Sequence, residues 1–132
     1  MKNFKFRAWD KELKIMCDVL KIDFKNKTLF YHHWAHGVST EVDLNEVEIM
    51  QSTGLKDISG TEIYEGDIVE FKYPYDKRIK TKGVIVRNDN KACFGISMKE
   101  TTEQYELYRI TAENYLTVIG DVYQNPELLE DE

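Results

Sequence analysis

Apolar and polar residues trade places at every second position through most of this chain, and a period of two is the signature of half-buried strands. In FKFRAW, Phe4, Phe6 and Ala8 alternate with Lys5, Arg7 and Trp9. LKIDF repeats the pattern with Leu20, Ile22 and Phe24 on one side, KNKT supplies a turn, and LFYHHW reads as the returning strand. EVDLNEVEIM fits a strand through Val42 and Leu44, although Leu44, Val47 and Met50 also fit a short helical stripe; the strand reading is preferred. From Ile63 onward the alternation is steadier. IYEGDIVEF enters a strand with Val69 and Phe71 aimed inward, and KGVIVRNDNKACFGI reads as a hairpin turning at NDNK. YELYRI and YLTVIGDVY supply two further strands, and QNPELLEDE breaks at Pro126 into a short helical turn and an acidic end. Short strands at close spacing predict a mainly β protein, a barrel or a sandwich.

The chain has 132 residues, enough for one domain with a core that needs no covalent staples. A hydrophobic share of 42% against a charged share of 32% excludes disorder as the general state. The net charge of −6 argues against sequence-independent binding along a phosphate backbone, which needs a dense set of cations. Cys17 and Cys93 stand far apart in alternating segments and match no zinc spacing, so both read as buried free thiols. No apolar run approaches the ~20 residues that cross a bilayer, and MKNFKFRAWD has no signal-peptide core. A soluble protein of the reducing cytoplasm is expected.

KFRAWD near the start, MQSTGLKDISGTEIYEGDIVEF in the centre, GVI, and VIGDVYQNPELL at the close resemble, in order and spacing, the YopX family of phages and prophages. The resemblance covers nearly the whole chain except Met16 to Asn45, where no block matches. It implies an SH3-like small β barrel in the C-terminal half, and the alternating strands before it are read as an N-terminal β extension joined to that barrel. The corresponding boundaries are 1–50 for the extension and 51–132 for the barrel with its short acidic tail, as one folding unit. It also implies a phage or prophage gene acting in the bacterial host cytoplasm, and it brings no catalytic residues to map.

The central block is the first candidate site. A phosphate cradle needs clustered glycines leading into a helix, whereas Gly54, Gly60 and Gly66 are six residues apart and lead into the strand DIVEF. These glycines, with Asp57 and Asp67, read as turn and corner chemistry. Glu62, Glu65, Asp67 and Glu70 have no accompanying nucleophile or positioned histidine, so general acid–base work is not expected of them. All three histidines lie in HHWAHG. His32 and His36 are the metal-ligand candidates: in a strand they stand too far apart for one ion, whereas in a helix the i,i+4 pair would suit zinc. With no further Cys or His available, carboxylates would have to complete the set.

Two stretches are candidate interaction surfaces. KYPYDKRIKTK interleaves Tyr73 and Tyr75 with Lys77, Arg78, Lys80 and Lys82 over 72–82, a composition suited to stacking bases and pairing phosphates, with Asp76 opposing it. FRAWD offers Arg7 and Trp9, residue types favoured at binding hot spots, although packing of Trp9 over the fold is the preferred reading. The function expected is that of a non-enzymatic accessory protein acting by protein binding or self-assembly as a homo-oligomer, with neither metal nor cofactor and no membrane partner. The alternative is a nucleic-acid-binding accessory factor using 72–82.

Overall fold

The inward residues of FRAWD pair on both sides, and that strand organises the first half of the protein. A computed structural model describes residues 4–33, 39–72, 80–88, 91–99 and 104–130, without the side chain of Lys80. These residues divide between two units, 1–51 and 52–132. The fold is mainly β, with antiparallel pairing in both units.

In the first unit β1 (Phe6–Asp10) lies between β2 (Ile15–Asp23) and the start of β5 (Val47–Lys56). β3 (Thr28–His32) follows β2, and β4 (Ser39–Asp43) follows β3, giving the order β4-β3-β2-β1-β5. EVDLNEVEIM is two strands, β4 and β5, separated by a 3-10 turn at Leu44–Glu46. The buried face carries Ala8, Cys17, Leu29, Tyr31 and Val47, with Val19, Ile22 and Ile49 packed beside them.

Two expectations for this unit are corrected. Phe4 precedes β1 and is exposed. Leu20 and Phe24 are also exposed, because the β2–β3 register slips between Val19 and Lys21 and leaves Leu20 as an extra residue. A bulge of this kind moves every later side chain to the opposite face. Val19 and Ile22 therefore point inward three positions apart, and Phe24 falls in the turn.

A carboxylate sits on that buried face. Asp10 accepts from the N–H groups of Glu12 and Leu13, both at 3.0 Å, and from the Tyr31 hydroxyl at 2.8 Å. These bonds offset the desolvation that a buried carboxylate otherwise incurs, and the two backbone bonds shape the turn from β1 to β2. Burial, then the nearby charges of Asp10 and Asp18, push the Cys17 thiol from its ordinary 9.0 up to about 11. Burial and the bond to Asp10 push the Tyr31 phenol up as well.

In the second unit the far half of β5 pairs with β6 (Glu62–Tyr64), with an irregularity between Ser52 and Lys56. Gly54, at φ +77°, lies within that irregularity, so β5 runs through it rather than ending there. A turn at Glu65 and Gly66 leads to β7 (Asp67–Lys72), then β8 (Lys80–Asn88) and β9 (Cys93–Met98). β10 (Gln104–Glu106), the helix α1 (Arg109–Tyr115), β11 (Leu116–Asp121) and a 3-10 turn at Pro126–Leu129 complete the unit. The strand order is β10-β9-β8-β7-β11. Its core is Ile63, Val69, Ile85, Ile96, Ala112 and Leu116.

YELYRI is the third correction. Only its first residues belong to a strand; Arg109 and Ile110 open α1, which buries Ala112 and leaves Ile110 exposed. Seven residues are too few to display a helical period, and Tyr, Ile and Thr favour strands. Among the described residues no helix is long and apolar enough to cross a membrane.

The raised Cys17 value fixes the sign of a pH dependence. Between about pH 9 and 11 the unfolded chain has released a proton that the folded chain retains, so stability falls as pH rises through that window. Urea titrations at a series of alkaline pH values should give a declining unfolding free energy, with a shallower decline for Cys17→Ala between about pH 9 and 10. Parallel declines in the two proteins would contradict this assignment.

Candidate functional site

Strand register gathers one set of side chains on a single face of the second sheet. Phe71 faces Thr81 across β7 and β8, and Gly83 faces Met98 across β8 and β9. Ile96 faces both Ile85 and Tyr105, on its two sides. Because side chains alternate along a strand, all of these belong to the face on which Ala112 of α1 packs. The short helix covers only part of that face. Beside it lies a cleft of about 680 Å³.

Its floor is Phe71, Thr81, Ile96 and Met98, and its rim carries Tyr105, Tyr108 and Thr111. Gly83 keeps the floor low. A Cβ there would meet Ile96 Cγ2 at 2.6 Å and the carbonyl oxygen of Ser97 at 3.2 Å. The Phe71 ring of the floor stacks on Tyr115 of α1, with centroids 5.9 Å apart.

A polar cluster orients the rim. The Tyr108 hydroxyl donates to the Glu106 carboxylate, and Lys91 Nζ lies 3.2 Å from the same group. The Tyr108 bond, then Lys91, holds the Glu106 carboxyl below its ordinary range, while Glu106 raises the Tyr108 phenol. Such exposed pairs add little stability, but they fix the direction of the Tyr108 ring. Tyr105 is 52% exposed, Tyr108 59% and Ile110 73%, a concentration of apolar surface on neighbouring elements.

The turn candidates of the central block lie elsewhere in the second unit. Gly54, Gly60 and Gly66 have φ of +77°, +86° and +89°, values that side chains with a Cβ rarely adopt. Gly66 donates to the carbonyl of Ile85 and accepts from Val122. Asp57 Oδ1 accepts from Ser59 and Thr61, and its Oδ2 accepts from Val118 on β11, all at 2.9 Å. Asp67 Oδ2 accepts from Tyr64 at 2.7 Å.

The remaining candidates are not brought together. Arg7 and Trp9 share the face of β1 opposite Ala8, and both are half-buried. His32 is half-buried on β3, opposite Asp18 and Ser39, while His36 lies outside the described residues. Among the described residues no group of three metal-ligating side chains forms. Tyr73, Tyr75, Lys77 and Arg78 also lie outside the described residues. Lys80 begins β8 opposite Lys72, and Lys82 Nζ donates to the carbonyl of Leu128 at 3.1 Å. Sequence reading missed Tyr105, Tyr108 and Thr111; the signal was the pair of tyrosines in an otherwise polar stretch, obscured by reading α1 as strand.

These features define a mainly β protein of two units with an aromatic cleft on the second. The chain belongs to the YopX family, whose model, described as YopX protein, matches residues 5–130. Among solved structures it is similar to protein EF1440 from Enterococcus faecalis, at 28% identity and a TM-score of 0.69, over 98% of this chain and 100% of that one. It is also similar to protein yopX from Bacillus subtilis, at 25% identity and a TM-score of 0.59, over 96% and 98%. No curated protein matches the chain.

Gly83→Val tests the floor. Added methyl groups must displace Ile96 or Met98, so the change should cost about 1–3 kcal/mol in urea unfolding, whereas Thr111→Ser on the rim should cost well under that. Equal stability of Gly83→Val and the parent would contradict the packing described.

Proposed function

We propose that this protein is a non-catalytic accessory factor of a phage or prophage, working in the bacterial host cytoplasm by binding another protein chain at the Tyr105–Tyr108 cleft. The observation that carries this reading is the exposed aromatic rim over an apolar floor, adjoining β10 at the margin of its sheet. Aromatic residues over a preformed apolar recess are the usual anchors of protein interfaces. The cleft's polar groups are hydroxyls, an amide and an ion pair, which suit recognition of a chain more than turnover of a substrate. The bacterial origin of both similar solved proteins supports the cellular setting.

The second unit is best read as an opened relative of an SH3-like barrel. What supports this reading is that β11, at the margin of the five antiparallel strands, receives the segment after β5: Ile58 donates to the carbonyl of Leu116 and Asp57 accepts from Val118. Folds of this kind commonly present peptide-binding surfaces, so the architecture agrees with the reading by analogy. The nucleic-acid alternative has less behind it. Lys82 is engaged with Leu128, and residues 52–132 hold sixteen acidic against ten basic residues.

A photoreactive residue at Tyr105, in a bacterial host carrying the phage, should trap a discrete protein partner. Thr111→Arg, which fills the cleft from α1, should abolish that product and the saturable binding of the purified partner without lowering the melting temperature. Equal trapping from Glu48 in the first unit, or none from Tyr105, would contradict the reading. Low-salt binding of DNA or RNA that falls when Lys77 and Arg78 are neutralised would transfer it to the 72–82 stretch.

A further inference from the structure

The hydrogen-bond pattern of β10 exposes a self-complementary edge. Leu107 donates to the carbonyl of Phe94 at 3.0 Å, and the register continues as Glu106 to Gly95, Tyr105 to Ile96 and Gln104 to Ser97. Antiparallel ladders alternate between bonded and non-bonded pairs. Tyr105 therefore spends its N–H and C=O on Ile96, while those of Gln104 and Glu106 turn away from β9 toward the outer edge. At the opposite margin of the sheet, β11 is met by Ile58 and Asp57. Among the described residues β10 has a strand on one side only.

From this geometry we infer that β10 pairs antiparallel with β10 of a second copy about a two-fold axis at Tyr105, forming a homodimer across the two sheets. This rests on the reading of the cleft region as a protein-binding site and adds a second copy at the strand edge that adjoins the cleft. The axis sets Gln104 opposite the partner's Glu106 and Glu106 opposite the partner's Gln104, each as a doubly bonded pair. Four backbone hydrogen bonds result, all made by groups that already point outward. The two Tyr105 rings meet in the non-bonded position, where side chains approach most closely.

Charge selects this register. An axis at Glu106 would set two carboxylates face to face, which cross-strand energetics disfavour. The axis at Tyr105 opposes each carboxylate with a neutral amide that can donate to it. The β4 edge of the first unit carries Glu41 and Asp43 along five residues, the kind of charge that discourages edge pairing.

Sedimentation velocity of the full chain across a concentration series tests this, with three variants at Gln104 whose folding is checked by thermal melts. The parent should be a reversible dimer. Gln104→Lys places a cation opposite the partner's Glu106 and should tighten the dimer roughly three- to ten-fold, and Gln104→Glu should loosen it by a similar factor. Gln104→Pro removes an outward N–H without touching the β9 ladder and should abolish the dimer. A parent that stays monomeric up to about 100 µM would overturn the inference, as would an assembly of any size whose constant ignores all three variants. Either result would leave the Thr111→Arg test of cleft binding standing, so failure of the dimer and failure of the cleft are distinguishable.

Discussion

Asp57 is the interaction on which the second unit depends. Its side chain is 4% exposed, and it accepts three backbone N–H groups, two from its own turn and one from Val118. A buried carboxylate without such partners would be costly, and each bond to a charged acceptor contributes about 1.5–3 kcal/mol. The same residue therefore folds the 57–61 turn and clamps it to β11. Ile58 adds a backbone bond to Leu116, the residue where α1 ends and β11 begins. The helix is thereby fixed over the sheet at one end, Ala112 is seated in the core, and the cleft is left beside it. The cleft is a consequence of where the helix is held.

The same device recurs. Asp10 organises the β1–β2 turn of the first unit while bonding Tyr31 on the buried face. Asp121 closes β11 by accepting from Tyr123, Gln124 and the Gln124 amide. In each case a short acidic side chain replaces backbone partners that irregular segments lack. Surface ion pairs such as Lys11 with Glu48, at 3.2 Å and half exposed, add little by comparison.

Much of this was legible in the sequence because strands on a one-sided core must alternate. The hairpin of β8 and β9, the entry into β7 and the turn at Pro126 follow from that rule and from turn chemistry. Alternation failed at Leu20, where one inserted residue inverts the faces of β2, and at Arg109 to Tyr115, where local propensity favours strand but Ala112 is drawn into the core. The cleft could not be read at all. Phe71, Thr81, Met98 and Tyr105 come from four strands, and only register places them on one face. The six-residue spacing of Gly54, Gly60 and Gly66 was visible, whereas the role of Asp57 as a clamp on a strand sixty-one residues away was not.

Hydrogen exchange on Asp57→Ala addresses the clamp most directly. If Asp57 holds the turn to β11, the amides of Ser59, Thr61 and Val118 should exchange at least about tenfold faster than in the parent, matching loss of about 1.4 kcal/mol or more. The amides of Ala8 and Tyr31, in the first unit, should keep their rates. Unchanged protection at Val118 would contradict the account.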